Sequence, residues 1–177
     1  MKNLGVKSIV VLAIICLVTS GALAVVNSFT APVIETAAQA REDASRRAVL
    51  PEAATFETVT SDALPETITA AYEGLDEAGK TVGYVFTAKG RGFDGDITVM
   101  AAIEPGGTIL HVATIDVTSE TKTLGGQTAS ESYTSQYAGQ DASLAGVDAI
   151  SGATITSEAY EGCILDCFAA FDAVKGG

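Results

Sequence analysis

Apolar residues form an almost unbroken run near the N-terminus, from about residue 8 to residue 26. As a helix with a rise of about 1.5 Å per residue, this run is about 28 Å long, enough to cross the core of a bilayer. Lys2 and Lys7 precede it, which predicts a cytoplasmic N-terminus. The Ala-Leu-Ala sequence at 22–24 also fits a signal-peptide cleavage site. We favour an uncleaved anchor because the apolar character continues through Val25 and Val26.

The alanine-rich stretch after this run predicts a second helix, over residues 30–50. Thr30 is a suitable cap and Pro51 ends the pattern. We interpret this helix as a solvated stalk, and a docking surface for another protein of a complex is the alternative. The predicted organisation is therefore a transmembrane anchor over 1–28, a helical stalk over 29–51 and an extracytoplasmic domain over 52–177.

Alternating apolar and polar positions, separated by turn sequences, predict a series of β-strands in the domain. The predicted strands are 56–60, 68–72, 81–88, 96–104 and 109–117. A short helix is predicted over 127–138. Apolar residues at helical spacing predict a last helix that begins at about Ser157 and runs to residue 174. Strands joined by short turns favour antiparallel pairing, so the fold class is α+β.

Composition excludes several kinds of function. The chain has 22 acidic and 10 basic residues and a net charge of −12, without a basic stripe for nucleic acid. Its one histidine, His111, falls among apolar strand positions and is interpreted as packed. Cys16 lies in the apolar run, and Cys163 and Cys167 are four residues apart on a predicted helix, which disfavours a disulfide. We therefore predict no metal site and no catalytic side chain.

The most informative stretch, residues 148–157, reads Asp-Ala-Ile-Ser-Gly-Ala-Thr-Ile-Thr-Ser. Its hydroxyl residues lie next to the predicted start of the last helix, where free N–H groups can hold a phosphate. An ordinary helix cap is the simpler interpretation. One hydroxyl suffices for a cap, however, so four hydroxyls around a Gly-Ala pair favour a ligand site.

The pattern Asp-x-x-Ser-Gly-Ala-Thr, followed by Thr-Ser, resembles the flavinylation motif of the FMN-binding domain family. That family includes the G subunit of Rnf-type ion-translocating complexes and the C subunit of the sodium-pumping NADH:quinone oxidoreductase. The resemblance implies that Thr154 carries FMN through a phosphoester bond. Asp148, Gly152 and Ala153 match the same motif, and the hydroxyls of Ser151, Thr156 and Ser157 can hydrogen-bond the phosphate, so we assign all six to the cofactor site.

A second loop, Glu-Thr-Lys-Thr-Leu-Gly at 120–125, is similar to a family loop written Glu-Thr-Pro-Gly-Leu-Gly that lies near the flavin. The resemblance adds Glu120, Thr121 and Leu124 to the site. Lys122 and Thr123 replace Pro-Gly, and a role for Lys122 near the flavin phosphate is a hypothesis. Residues 90–95 match G-x-G-x-x-G, but a strand pattern follows instead of a helix, so we interpret them as a turn.

The resemblance implies an electron-transfer subunit of a membrane translocase, not a stand-alone catalyst. The complex would couple ferredoxin:NAD⁺ oxidoreduction to Na⁺ or H⁺ translocation, with the other Rnf-type subunits as partners. Residues near Thr154 include no evident base, so a flavin transferase is expected to attach FMN from FAD and release AMP. The alternatives are a subunit of a Na⁺-translocating NADH:quinone reductase-like complex and a flavin-free, membrane-anchored structural or ligand-binding module.

Overall fold

The computed structural model describes residues 2–176, without the side chains of residues 2–6 and 35. It divides into two compact units, Met1–Arg41 and Glu42–Gly177. The main elements are α1 (Lys2–Val49), β1 (Thr55–Thr58), β2 (Ile68–Leu75), β3 (Thr81–Arg91), β4 (Asp96–Ile103), β5 (Ile109–Asp116), α2 (Glu131–Thr134) and α3 (Thr154–Lys175). Two 3-10 helices, Gly125–Ala129 and Ser135–Tyr137, flank α2, so the helix predicted over 127–138 is divided into three short pieces.

Helix α1 runs without a break through the predicted start of the stalk. The hydroxyl of Thr30 donates to the carbonyl of Val26 at 3.1 Å, one turn back, instead of capping a new helix. The separate helix start predicted at Thr30 is therefore wrong. Over Lys7–Val49, α1 is long and apolar enough to cross a membrane by length and composition. The predicted boundaries at residues 28 and 51 stay predictions.

The five strands form one sheet in the order β1-β2-β3-β4-β5, with every neighbouring pair antiparallel. Helix α3 packs against one face of this sheet, and the predicted α+β class is confirmed. Phe86, Ile97 and Val99 from the strands and Ile164 from α3 are fully buried in the core between them. The helix is also held at its side, because Thr67 Oγ1 donates to Asp166 Oδ2 at 2.7 Å.

The opposite face of the sheet carries a second, smaller core. Val49 and Leu50, where α1 ends, are buried there with Val85, Met100 and Ala102. Just before them, the guanidinium of Arg46 lies 3.7 Å from the centroid of the Tyr72 ring. The globular unit therefore uses the last residues of α1 to cover this face.

Strand β5 contains an irregularity that changes which residues face α3. Ala102 pairs with His111 but the next residue, Ile103, pairs with Ile109, so one residue of β5 is extra there, and a second shift lies near its other end, opposite 98–99. Such a bulge shifts the alternation by one position. Ile109 consequently joins the core under α3, Ala113 joins the opposite face, and His111 is exposed. His111 pairs with Ala102 and keeps the face of Ala113, but it is exposed on an edge strand, so the packed histidine that the alternation predicted is wrong.

Candidate functional site

A pocket of about 350 Å³ opens in the globular unit where the loop after β3, the loop after β5 and the start of α3 meet. Three large apolar side chains line it although they are substantially exposed: Phe93 at 67%, Ile155 at 52% and Leu124 at 42%. Among the described residues of the globular unit, Leu165 is the other large apolar side chain that is exposed. Exposed apolar residues gathered around a concavity are typical of a ligand site. The full lining is Phe93, Glu120, Thr121, Leu124, Gly125, Gly152, Ala153, Thr154, Ile155 and Thr156.

Thr154 is the first residue of α3 and is exposed on the pocket wall. The N-cap position before it is Ala153, which offers no side-chain cap. The N–H groups of the first helical turn lack partners within the helix, and the helix dipole adds partial positive charge there. The start of α3 is therefore suited to a negatively charged group bonded to the Thr154 oxygen.

The helix begins three residues earlier than Ser157, the predicted cap. Ser157 lies inside α3, is buried, and its Oγ accepts a hydrogen bond from the Ile150 N–H at 3.1 Å. That bond fastens the motif loop onto the first turn of the helix. The cap predicted at Ser157 is wrong because its hydroxyl serves the preceding loop.

Glu120 is the buried polar centre of the pocket, with only 6% of its surface exposed. Its Oε1 accepts hydrogen bonds from the N–H groups of Asp94 at 3.0 Å and Gly95 at 3.4 Å. Its Oε2 accepts a hydrogen bond from Thr156 Oγ1 at 2.9 Å. One carboxylate therefore joins the loop after β3 to the first turn of α3, and both of these segments line the pocket.

The structure brings most of the residues assigned to the site together and leaves three outside the lining. Ser151 is exposed beside it, Ser157 is turned toward Ile150, and the backbone N–H of the exposed Asp148 donates to Gln136 Oε1 at 2.9 Å. The seven that line the pocket are Glu120, Thr121, Leu124, Gly152, Ala153, Thr154 and Thr156.

The loop with Lys122 and Thr123 in place of Pro-Gly still forms a tight turn. The N–H groups of Leu124 and Gly126 both donate to the carbonyl of Thr121 at 2.9 Å. Lys122 is exposed and does not belong to the pocket lining. With Lys122 and Thr123 in place of Pro-Gly, the turn still places Leu124 at the pocket.

Sequence reasoning missed three pocket residues: Phe93, Gly125 and Ile155. Phe93 lies in the glycine-rich turn whose pattern indicates only a connection between strands. A large aromatic residue in a short polar turn has no core to enter, and this position indicates a ligand-facing role for Phe93. Gly125 and Ile155 are neighbours of predicted site residues, and nothing in their own pattern distinguishes them.

Tyr160 and two buried thiols lie on α3, and two buried tyrosines from the segment 131–137 contact Tyr160. The rings of Tyr133, Tyr137 and Tyr160 contact one another edge-to-face or tilted, with centroids 5.3–5.7 Å apart. Burial raises the pKa of Tyr137 and of Tyr160 above the ordinary value. Burial, with a smaller contribution from the charge of Asp166, raises the pKa of the Cys163 thiol to about 12 and raises that of Cys167 as well. These groups are neutral packing residues and not nucleophiles.

Comparison with known proteins identifies two regions of the chain. Residues 92–168, which contain every residue of the pocket lining, match the FMN-binding domain family, and residues 1–49 match the RnfG N-terminal region. The crystal structure of Shewanella oneidensis NqrC has a similar fold. It superposes with a TM-score of 0.53 at 21% identity, over 72% of each chain.

Two curated relatives extend along most of the chain. The G subunit of the ion-translocating oxidoreductase complex of Methanosarcina acetivorans is 30% identical over 163 residues, covering 86% of this chain and 87% of the relative. The G subunit of the Na⁺-translocating ferredoxin:NAD⁺ oxidoreductase complex of Acetobacterium woodii is 32% identical over 174 residues, covering 84% of this chain and 83% of the relative. The chain therefore belongs to the family of G subunits of Rnf-type ion-translocating oxidoreductase complexes.

Proposed function

We propose that this protein is an electron-transfer subunit that carries FMN covalently on Thr154. The observation that carries the proposal is the exposed Thr154 at the first position of α3, on the wall of an apolar-lined pocket. The match of residues 92–168 to the FMN-binding domain family supports FMN as the ligand. When bound, FMN supplies the redox chemistry, and the chain positions it.

The residues present fit the two ends of FMN. Phe93, Leu124 and Ile155 offer apolar surface to the flat ring system, in a pocket whose volume of about 350 Å³ lies within the range of small-molecule sites. The uncapped first turn of α3 offers N–H donors to the phosphate beside Thr154. The hydroxyl of Thr156 is already bonded to Glu120, so the backbone is the main phosphate partner.

The pocket lining does not provide a base to activate Thr154. Glu120 is the one ionisable side chain in the lining, and it accepts three hydrogen bonds. A threonine hydroxyl is a weak nucleophile without such help. We therefore assign attachment to a flavin transferase: the Thr154 hydroxyl loses its proton to a base of that enzyme, its oxygen forms a bond to the FMN phosphorus of FAD, the pyrophosphate bond breaks, and AMP leaves as an anion. Exposure of Thr154 leaves it accessible to that enzyme.

The proposed setting is a membrane complex with other Rnf-type subunits. In this account α1 is an uncleaved anchor with a cytoplasmic N-terminus, and the flavin domain lies on the other side of the membrane. The Acetobacterium relative is named for a complex that couples ferredoxin:NAD⁺ oxidoreduction to Na⁺ transport. We assign the same type of complex to this protein, with Na⁺ or H⁺ as the coupling ion.

In-gel fluorescence tests the attachment. The full chain is expressed with and without an exported flavin transferase, denatured and viewed under ultraviolet light. We expect a fluorescent band only with the transferase, and none for Thr154→Val. The matched control is Thr60→Val, at an exposed threonine outside the pocket lining, which keeps the band. A fluorescent Thr154→Val band, or a dark wild-type band in the presence of the transferase, contradicts the proposal.

A further inference from the structure

We infer that Glu120 is a positioning residue whose fixed negative charge lowers the reduction potential of the flavin. The inference rests on the proposed function, because it concerns a flavin held in this pocket. Glu120 has two effects that can be separated by substitution. Its hydrogen bonds hold the pocket walls together, and its charge acts on whatever occupies the pocket.

The hydrogen bonds make Glu120 a clamp between segments that are distant in the sequence. Oε1 accepts from the N–H groups of Asp94 and Gly95, and Oε2 accepts from the Thr156 hydroxyl. Phe93 immediately precedes the first of these amides, and Thr154 lies two residues before Thr156. The apolar wall and the attachment residue are thus held by one side chain.

The space around the carboxylate is closed by a glycine. A Cβ on Gly125 would lie 2.3 Å from Glu120 Oε2 and 2.8 Å from Thr156 Oγ1. Distances this short are not tolerated between non-bonded atoms, so a side chain at position 125 would displace the clamp. Gly125 itself lines the pocket. The backbone at position 125 therefore packs directly against the Glu120 carboxylate, which only a glycine allows.

Among the side chains that the structure describes, none of the ion pairs brings a cation to Glu120. These ion pairs are Arg46–Asp43, Lys89–Asp96 and Arg91–Asp96. All three of its hydrogen-bond partners are donors, a set that suits an ionised carboxylate. Because the side chain is buried from solvent, its charge is weakly screened and opposes the addition of electrons to a neighbouring group.

Two substitutions separate the clamp from the charge. Glu120→Gln removes the charge and can keep the bonds, because the amide oxygen can still accept from Asp94 and Gly95 while its NH₂ faces the Thr156 hydroxyl, which can rotate to accept. Glu120→Asp keeps the charge, but the side chain is one methylene too short to reach both walls. Both are measured in the full-length flavinylated protein by equilibration against a reference dye. Thermal unfolding of the same variants without flavin reports on the clamp alone.

We expect Glu120→Gln to move the two-electron flavin equilibrium toward the reduced form by about tenfold, which corresponds to about 30 mV. Its unfolding temperature without flavin stays near that of wild type. We expect Glu120→Asp to lower the unfolding temperature and to leave the potential near the wild-type value. Thr156→Val, which removes one clamp bond and keeps the charge, behaves like Glu120→Asp but more weakly.

Three results overturn the inference. It fails if Glu120→Gln carries flavin with the wild-type potential, or if Glu120→Asp or Thr156→Val raises the potential as much as Glu120→Gln does. The third is a shift of the potential of Glu120→Asp away from the wild-type value by as much as the expected tenfold, and this result counts even if Glu120→Gln does not fold. Flavin fluorescence on denaturing gels is read separately in the same samples. A wild-type protein without flavin fluorescence refutes the proposed function. A fluorescent Glu120→Gln protein with the wild-type potential refutes only the inference about Glu120.

Discussion

The hydroxyl of Tyr160 on α3 lies 3.0 Å from Thr114 Oγ1 on β5. Thr114 Oγ1 donates its own hydrogen to the Thr128 carbonyl at 2.9 Å, so Tyr160 is the donor of the first bond. Tyr160 and Thr128 are fully buried. This chain of two hydrogen bonds connects the helix that begins at Thr154 with the edge strand and with the 3-10 helix after Leu124.

Removing the Thr114 hydroxyl is expected to destabilise the domain more than removing the Tyr160 hydroxyl. Tyr160→Phe removes a donor and leaves the Thr114–Thr128 bond, so we expect a loss of about 1 kcal/mol in the free energy of unfolding. Thr114→Val leaves both the tyrosine hydroxyl and the Thr128 carbonyl without a partner, and we expect about 2 kcal/mol or more. Urea unfolding measures both. Equal losses, or additive losses in the double variant, would contradict the coupling.

The end of α1 is expected to contribute to the stability of the globular unit. Leu50 is 1% exposed and packs in the core on the sheet face opposite α3. Leu50→Ala should therefore cost about 2–4 kcal/mol in the free energy of unfolding. Leu165→Ala, at a residue 42% exposed, is the matched control and should cost less than about 1 kcal/mol. A small effect at Leu50 would support a domain that begins at the predicted boundary after residue 51.

The buried thiols predict a loss of stability at high pH. Burial raises the pKa of Cys163 from 9.0 to about 12, and that of Cys167 also rises. Above pH 9 the thiols ionise in the unfolded chain but stay protonated in the folded domain, so ionisation favours unfolding. Their contribution is complete below pH 9 and declines as the pH rises toward 12. Denaturant unfolding across this interval should show the decline.

The matched variant for this pH effect is Cys163→Ala combined with Cys167→Ala. It is expected to be less stable than wild type at neutral pH because it leaves space in the core. Its stability should nevertheless fall less steeply above pH 9, where the tyrosines whose pKa is raised account for the remainder. Identical slopes for the two proteins would show that the thiols do not contribute.

Phe93 is expected to shield the flavin from water. It is 67% exposed at the pocket, and an aromatic ring there can cover a flat ligand. Phe93→Ala should retain the flavin on Thr154 and make its fluorescence more sensitive to quenching by iodide. Leu165→Ala removes a large apolar side chain that is exposed outside the pocket lining and should leave quenching unchanged. Unchanged quenching in Phe93→Ala would place the flavin elsewhere.

Much of the fold follows from local pattern. All five strands are predicted close to their observed bounds, because alternation of apolar and polar residues reports directly which positions face a core. The pattern fails at β5, where an extra residue moves Ile109 to the face opposite Ala113. A bulge depends on the partner strand, so no periodicity within β5 can reveal it.

The candidate site is only partly accessible to sequence reasoning. Resemblance to a known motif identifies Thr154 and the loop that begins at Glu120, but not what Glu120 does. Its partners, Asp94, Gly95 and Thr156, are 25–36 residues away and meet it only after the sheet has formed. The predicted start of α3 is misplaced for the same reason, because Ser157 bonds to the loop before it and not to the helix end.

Intact mass of the full-length protein, purified from cells that contain the flavin transferase, tests the central claim most directly. We expect an increase equal to the mass of FMN less one water, located on Thr154 by peptide mapping and abolished by Thr154→Val. An unmodified mass in those cells, or a flavin mapped to another residue such as Thr156, would contradict the account.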